Sequence, residues 1–413
     1  YPLRRQRQMC IRDRDIMHRE DFEILNTGII YLDNGATTLK PKCVVDATLD
    51  YYTKYTANAH RGDYDNSLKV DMLYEGVRDK VRDFIHAKSS KEIVFTSGTT
   101  DSLNRIVFGF MKTHLKAGDE VLLTKAEHAS NILPWLELEK EIGIVVKYIP
   151  LENHQVVLEH VLESITDKTK VISLAHVTNV LGDERPIREI GALCQEKGIY
   201  FVVDGAQSVP HRPVDVEDLH LDFLAFSAHK MLGPTGVGVL YGKEELLEEL
   251  HPTIVGGGMN ATFSSEGSWE YKSLPSRLEA GTPNIAGVIG FGAALDYLMS
   301  IGMENIYQYE CSLKKYFLSQ LATIDNVTVY NKDVGGSIVA FNVDDVFSQD
   351  TAIYLNHYHI CVRAGNHCAK ILKEDLQVKN TCRASLYFYN TKEEIDEVIR
   401  VLKQSKDIFR IVL

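Results

Sequence analysis

The 413-residue sequence predicts an α/β protein whose mainly parallel sheet is followed by a smaller α+β unit. The first observation behind this prediction is an alternation of short apolar runs with longer amphipathic stretches, which is typical of βαβ units. The second is a change of pattern near Met299, after which a helix, short strands and a closing helix follow. The hydrophobic content of 45% is ordinary for a soluble globular protein.

The strands of the predicted parallel sheet follow one another through the middle of the chain. Each is a short apolar run that ends at a polar or glycine-rich turn. These runs cover residues 92–96, 120–124, 170–174, 200–203 and 222–226. The helical pattern between the first two runs covers residues 101–114. In the second unit, strands are expected at Val327–Val329 and 337–341, and the closing helix over 391–405.

Four segments are expected along the chain. Residues 1–14 hold five Arg against one Asp and resemble translated adapter sequence, so we expect a non-native leader there. Residues 15–32 are expected to pack with the small domain. The large domain is predicted over 33–298 and the small C-terminal domain over 299–413.

Charge and composition argue against several classes of protein. The net charge of −12 disfavours a nucleic-acid binder, which needs a basic face to neutralise phosphates. No apolar run approaches the roughly 18 residues of a membrane helix. The seven cysteines are scattered without a CxxC pair, which favours free thiols in a reducing cytoplasm. The 15 histidines are dispersed, and no metal site is expected.

Three polar groups stand at successive strand ends. Gly98, Thr99 and Thr100 form a strand-to-helix turn, where free N–H groups and the helix dipole suit a phosphate. Asp204 closes one strand, and a carboxylate there could keep a pyridine nitrogen protonated. Lys230 closes the next strand and could form a Schiff base. Each signal alone is weak, but together they predict a pyridoxal phosphate site.

Ten motifs in order give the chain a family resemblance. They are Tyr31–Thr38 (YLDNGATT), 60–62 (HRG), 95–100 (FTSGTT), 127–131 (EHASN), 176–179 (HVTN), 204–207 (DGAQ), 227–230 (SAHK), 281–284 (GTPN), 363–368 (RAGNHC) and 382–385 (CRAS). The sequence resembles cysteine desulfurases, class V pyridoxal phosphate enzymes of fold type I, and most closely the SufS-type (group II) branch. The resemblance implies a large domain with a seven-stranded, mainly parallel sheet flanked by helices, and a small α+β domain.

The resemblance also implies roles around the cofactor. Lys230 would bind pyridoxal 5'-phosphate covalently and later move the Cα proton of the substrate. Asp204 would pair with the ring nitrogen, and Gln207 with the phenolic oxygen. His128 would stack on the ring and assist proton transfer.

Further roles concern the phosphate, the substrate and the partner subunit. Thr99, Ser227 and His229 would bind the phosphate, with Thr100 close by. Thr282 would reach the phosphate of a neighbouring subunit, which implies a homodimer. Arg383 would clamp the substrate carboxylate. Asn179 would contact both substrate and cofactor, and Arg363 is a further substrate-binding candidate.

Cys368 decides which reaction the resemblance implies. A thiolate is the nucleophilic form of cysteine and is favoured by nearby cations, for which Arg363 and His367 are the candidates. The implied reaction converts L-cysteine to L-alanine and leaves a persulfide on Cys368. A SufE- or SufU-like acceptor would then carry the sulfur to iron–sulfur cluster assembly. A selenocysteine lyase and another class V enzyme, such as an aminotransferase, remain alternatives, whereas the presence of both Lys230 and Cys368 argues against an idle assembly scaffold.

Three segments depart from the family pattern or extend it. Asn366 stands where many SufS-type enzymes have a second His, and Lys370 stands where a Gln is common. Both changes bear on acceptor docking more than on the core chemistry. Residues 259–270 fall where the active-site hairpin of the family would lie, so a lid or partner-facing element is expected there.

Overall fold

The computed structural model describes residues 18–60 and 62–404; the expected leader at 1–14 lies outside this range. The strands are β1 (Ile30–Tyr31), β2 (Ile93–Thr96), β3 (Glu120–Leu123), β4 (Val145–Tyr148), β5 (Thr169–Ala175), β6 (Tyr200–Asp204), β7 (Phe223–Ser227), β8 (Gly238–Gly242), β9 (Asn260–Phe263), β10 (Trp269–Tyr271), β11 (Val327–Val329), β12 (Ile338–Val343), β13 (Ile360–Cys361), β14 (Arg363–Gly365) and β15 (Thr381–Ser385).

Helices connect these strands. The α-helices are Lys42–Lys54, Asp65–Phe84, Thr99–Asn104, Lys112–His114, Leu133–Ile142, Leu158–Ser164, Ile187–Lys197, Glu244–Glu249, Ile285–Ile301, Met303–Leu321, Ser348–His357, Lys370–Asp375 and Lys392–Lys403. A π-helix, Arg105–Met111, joins the third of these to the fourth. The 3₁₀ helices are Arg19–Asp21, Glu23–Thr27, Ser90–Glu92, Ala129–Asn131, Ala228–Lys230 and Ser276–Leu278.

The large sheet has seven strands in the order β2-β8-β7-β6-β5-β3-β4. All neighbouring pairs are parallel except those of β8, which runs antiparallel to both β2 and β7. This confirms the predicted α/β class and the mainly parallel seven-stranded sheet. Because the strands other than β8 run in one direction, their carboxyl ends meet at one edge, where ligands bind in such sheets.

Alternation along the buried strands divides the apolar side chains between two layers. In β2, Ile93 and Phe95 join one core cluster and Val94 joins the other. In β6, Phe201 and Val203 face the first cluster, while Val202 faces the second. A strand buried on both faces reads as a continuous apolar run, which is why the sequence pattern revealed it.

A four-stranded antiparallel sheet, in the order β11-β12-β15-β14, forms the core of the C-terminal region. The N-terminal strand β1 pairs in parallel with β13 beside it. The predicted boundary at 298/299 falls inside the helix Ile285–Ile301, and the chain turns at Gly302 before the next helix. The division into domains stays a prediction.

The length and hydropathy of the helices bear on whether any of them could cross a membrane. No single helix in residues 18–60 and 62–404 is long and apolar enough to cross a membrane. Among the helices of this range, only the pair Ile285–Ile301 and Met303–Leu321, which are bent by 74° relative to each other, has the length and composition of a span when the two are taken together.

Candidate active site

The carboxyl ends of the parallel strands, together with β14, β15 and the turn after β14, line a cavity of about 230 Å³. Most of the predicted site residues line it. They are Thr99, Thr100, His128, Asn179, Asp204, Gln207, Ser227, His229, Lys230, Arg363, Cys368 and Arg383. Thr282 does not line this cavity; it is exposed in the segment before the helix Ile285–Ile301.

The turn after β2 supplies polar groups at one end of the cavity. The Thr99 N–H donates to Ser227 Oγ over 2.8 Å, and the two hydroxyls lie 2.7 Å apart. Thr99 also begins a helix, whose first N–H groups have no partner inside the helix. A Cβ on Gly238 would lie 2.4 Å from the Gly98 Cα, so only glycine lets β8 pass this turn. The arrangement suits a phosphate.

Burial disfavours the charged forms of Lys230 and Asp204, so it shifts the pKa of each side chain towards neutral pH. It lowers the pKa of Lys230 to about 8, although Asp204 opposes that shift. It raises the pKa of Asp204 to about 6, with Lys230 opposing. Above pH 7 Asp204 therefore remains mainly anionic, while a sizeable fraction of Lys230 is a neutral amine. These are the states needed to hold a ring-nitrogen proton and to attack an aldehyde.

Two side-chain amides leave buried oxygens free for a ligand. Gln207 donates from Nε2 to the Gly35 carbonyl over 2.7 Å, and Asn179 donates from Nδ2 to the His367 carbonyl over 2.6 Å. Their oxygens, Oε1 and Oδ1, are buried without a hydrogen-bond partner in the described part of the chain. Since unpaired buried oxygens are costly, both fit a bound group with hydroxyl or N–H donors. With Lys230, Asp204 and the Thr99 turn, the cavity fits pyridoxal phosphate.

The imidazole of His128 is held in one tautomer. Its Nδ1 accepts from the Ser130 N–H over 3.1 Å, so the proton of the neutral ring resides on Nε2. Ser130 Oγ lies 2.7 Å from Thr100 Oγ1, which extends the contact to the turn after β2. Burial lowers the pKa of His128 to about 4, with Lys230 adding to the shift. His128 is therefore neutral at physiological pH.

Asp33 links the two arginines of the cavity. Its Oδ1 accepts from Arg383 Nη2 over 3.1 Å, and its Oδ2 lies 3.3 Å from Arg363 Nε. Arg383 is 2% exposed and also donates to the Asn179 carbonyl over 2.9 Å. Its Nε is buried without a partner among the described residues, and Arg363 is exposed. A guanidinium fixed in this way presents its remaining donors in one plane, as carboxylate binding requires.

Cys368 lies on a strained turn between β14 and the helix Lys370–Asp375. His367 and Cys368 both have left-handed backbone conformations, with φ of 53° and 57°. The Ala129 N–H donates to the Cys368 carbonyl over 2.8 Å, which ties the turn to the segment after β3. Cys368 lines the cavity and is also exposed to solvent. Cys368 therefore lies where the cavity meets the solvent.

The expectation that His367 is a cation beside Cys368 is wrong. Burial lowers the pKa of His367 to about 2, and Arg383 and Lys373 add to the shift. Its Nε2 lies 3.0 Å from the Thr381 carbonyl, which can only accept, so Nε2 carries the proton of a neutral ring. A histidine beside a cysteine in sequence gives no sign of this burial.

Two contributors to the site were not assigned a role from the sequence. Asp33 and Gly35 stand in the N-terminal motif, but nothing local indicates that Asp33 meets two arginines more than 300 residues away. A Cβ on Gly35 would lie 3.2 Å from Arg383 Cζ, so this glycine leaves room for the guanidinium. Long-range contacts of this kind have no periodic signal in a single sequence.

Comparisons with known proteins agree with this geometry. The family model described as "Aminotransferase class-V" matches residues 30–398. The chain is 43% identical to a "Probable cysteine desulfurase" of Halalkalibacterium halodurans, over 94% of this chain and 96% of that protein. It is 42% identical to a "Cysteine desulfurase" of Haloferax volcanii, over 93% of this chain and 91% of that one.

Solved structures show the same likeness. The apo structure of a cysteine desulfurase from Thermococcus onnurineus NA1 superposes with a TM-score of 0.90 at 38% identity. That match covers 95% of this chain and 97% of the other. The Escherichia coli cysteine desulfurase CsdA, in an S-sulfonic acid form, gives a TM-score of 0.89 at 36% identity, covering 94% and 98% of the two chains.

Proposed function

The chain belongs to the class-V aminotransferase family and is a pyridoxal phosphate enzyme of the cysteine desulfurase group; from this premise we propose that Cys368 takes the sulfur of L-cysteine. One observation carries the proposal. Cys368, Lys230 and Arg383 line the same cavity of about 230 Å³, so a thiol, an amine of lowered pKa and a carboxylate-binding guanidinium face one small substrate.

The cofactor would be held by groups at three strand ends. Thr99, Ser227 and His229 would bind its phosphate, with Thr100 adjacent, and Asp204 its ring nitrogen. Gln207 would meet the phenolic oxygen, and His128 the ring face. When bound, pyridoxal phosphate withdraws electrons from the Cα of an amino acid.

Substrate orientation falls to Arg383 and Asn179. Arg383 would bind the substrate carboxylate in its guanidinium plane, with Asp33 and the Asn179 carbonyl fixing that plane. Arg363, at the exposed side, would add positive charge to the approach. The Lys230 amine would then take the proton from the substrate Cα, which its lowered pKa allows near neutral pH.

Sulfur transfer is the step that Cys368 would perform. Its thiolate attacks the substrate Sγ, and a sulfur–sulfur bond forms as the carbon–sulfur bond breaks. The electron pair of the broken bond stays with the carbon fragment, which takes up protons and leaves as alanine. The enzyme keeps a persulfide on Cys368. Exposure of Cys368 supports onward transfer to a SufE- or SufU-like acceptor for iron–sulfur cluster assembly.

We also place the enzyme in the cytoplasm as a homodimer. The six cysteines within the described residues are all free, which supports a reducing compartment. The Gly281 N–H donates to the Gly257 carbonyl over 2.8 Å, which ties the Thr282 segment to the region of the β9–β10 hairpin. Phe263 of that hairpin is 75% exposed, as partner-facing apolar residues are. Light scattering is expected to give twice the chain mass of 46.6 kDa.

The test of the reaction is alanine release from L-cysteine by the wild type and by Cys368→Ala, with mass spectrometry of the enzyme. We expect the wild type to make alanine and to carry one extra sulfur on Cys368, and the variant to bind cofactor but make no alanine. Cys43→Ala is the matched control, because Cys43 is an exposed cysteine outside the cavity. A fully active Cys368→Ala variant would contradict the proposal and favour a selenocysteine lyase, which L-selenocysteine as substrate would reveal.

A further inference from the structure

A buried lysine lies close to the turn that carries Cys368. Lys373, on the helix Lys370–Asp375, is 5% exposed, and its Nζ donates to Thr381 Oγ1 over 2.6 Å. Asp375 of the same helix pairs with Lys125 instead, and no carboxylate pairs with Lys373 within residues 18–60 and 62–404. Burial lowers its pKa to about 8, and Arg383 adds to the shift. A buried ammonium without a carboxylate disfavours folding, so its presence calls for an explanation.

The hydroxyl of Thr381 joins Lys373 to the imidazole of His367. His367 Nε2 lies 3.1 Å from Thr381 Oγ1 and 3.0 Å from the Thr381 carbonyl. The other nitrogen of the ring, Nδ1, is buried without a partner among the described residues. The three residues therefore form a continuous polar contact from the helix to the residue before Cys368.

The contact of His367 with Thr381 bears on the two residues of the turn that have left-handed backbone conformations, His367 and Cys368. Left-handed conformations at two consecutive non-glycine residues persist only where the surroundings fix them. Two backbone groups are fixed by other segments, since Asn179 donates to the His367 carbonyl and the Ala129 N–H donates to the Cys368 carbonyl. The His367 side chain is the third attachment, and it is made through Thr381.

The helix itself does not need the ammonium for its anchoring. Ala369 and Leu372 pack in a small apolar cluster whose other buried members are Ala126, Val180, Leu181 and Ala340. An apolar side chain at position 373 would suit this burial better than lysine does. The charge therefore serves something other than stability.

We propose that Lys373 is a positioning residue for desulfuration, which holds the turn of Cys368 through Thr381 and His367. The proposal rests on the proposed function, because it assigns Lys373 to the sulfur-accepting step. Its role is indirect: Lys373 contacts the turn's scaffold and not the substrate.

The test compares Lys373→Met with the wild type, both as holoenzymes. In a single turnover we expect alanine formation to slow about tenfold, as loss of one charged hydrogen bond implies, with the KM for cysteine changed less than twofold. Iodoacetamide should alkylate Cys368 several-fold faster, because the turn is less constrained. The melting temperature should stay equal or rise. Lys379→Met, at an exposed lysine of the same region, is the matched control and should match the wild type in every measurement.

Thr381→Val tests the route, because it removes the hydroxyl and keeps the carbonyl that His367 contacts. We expect it to reproduce the effects of Lys373→Met on turnover and alkylation, and the double variant to be no slower than either. Wild-type turnover and alkylation in Lys373→Met would overturn the proposal, as would slower turnover with a lower melting temperature and unchanged alkylation. A wild type that makes no alanine would instead refute the proposed function, and the alkylation rates would still report on the turn.

Discussion

The proposed carboxylate-binding role of Arg383 can be tested separately from the chemical step. In Arg383→Lys the positive charge remains but the planar pair of donors is lost, so one charged hydrogen bond to the substrate carboxylate should go. We expect the KM for cysteine to rise about tenfold, with kcat changed less than twofold, in an assay of alanine formation. An unchanged KM would reject the carboxylate-binding role.

Lys230 should reveal its lowered pKa when the cofactor is added back to cofactor-free enzyme. Only the neutral amine reacts with an aldehyde, and the ammonium loses its proton as the pH rises through about 8. The rate at which visible absorbance of the lysine-bound cofactor appears should therefore increase from pH 7 to 9 and then level off. Lys230→Ala is the control and should show no such absorbance. A rate that still climbs between pH 9 and 10.5 would indicate an ordinary lysine.

Much of the site can be predicted from the sequence, because Asp204 ends the buried strand β6 and Lys230 ends the short 3₁₀ helix that follows the buried strand β7, rather than closing that strand itself. Asp33 and Lys373 are not readable in the same way. Asp33 acts across the fold on Arg383 and Arg363, and Lys373 is an apparently ordinary charge whose burial depends on the packing around it. A single sequence carries no signal for either contact.

Gly238 decides how closely β8 passes the turn after β2. In Gly238→Ala the added Cβ would meet the Gly98 backbone at 2.4 Å, which cannot move aside as a side chain can. We expect a loss of about 1–3 kcal/mol in the free energy of unfolding and weaker pyridoxal phosphate binding, measured by denaturant titration and absorbance.

Gly76 is the control position for the substitution at Gly238. It lies inside the helix Asp65–Phe84, and a Cβ there would meet nothing within 4 Å. Gly76→Ala should therefore stabilise the protein by about 0.5–1 kcal/mol, through helix propensity alone. Equal effects of the two substitutions would show that the close approach at Gly238 has no energetic weight.

There are physical reasons why the sequence pattern does not predict some of the strands and helices. β8 has only three apolar residues between Gly238 and Gly242, and glycines in a sequence pattern indicate turns rather than a strand. The π-helix Arg105–Met111 shares its side chains with an ordinary amphipathic helix, and hydrophobic periodicity does not separate the two. The hairpin of β9 and β10 was expected from the family pattern and lies where that pattern placed it.

Phe22 joins the N-terminal segment to the rest of the fold. It is fully buried, and its ring contacts Tyr297, Phe388 and Tyr389 at centroid distances of 6.2, 6.0 and 4.6 Å. Phe22→Ala should cost about 3–5 kcal/mol of unfolding free energy. Ile24→Ala, at a side chain that is 46% exposed, should cost much less. Chemical denaturation measures both, and similar losses would mean that the segment is a loosely attached tail.

The position of Cys368 at the mouth of the cavity has a consequence for the order in which substrate and acceptor bind. Because Cys368 both lines the cavity and is exposed to solvent, the proposed persulfide would be accessible to an acceptor protein without a second opening in the fold. An acceptor protein bound at Cys368 would then cover the entrance of the cavity, so acceptor binding and substrate entry would alternate. The turnover rate would then depend on how quickly the bound acceptor dissociates, because the position of a single side chain makes the two binding events compete.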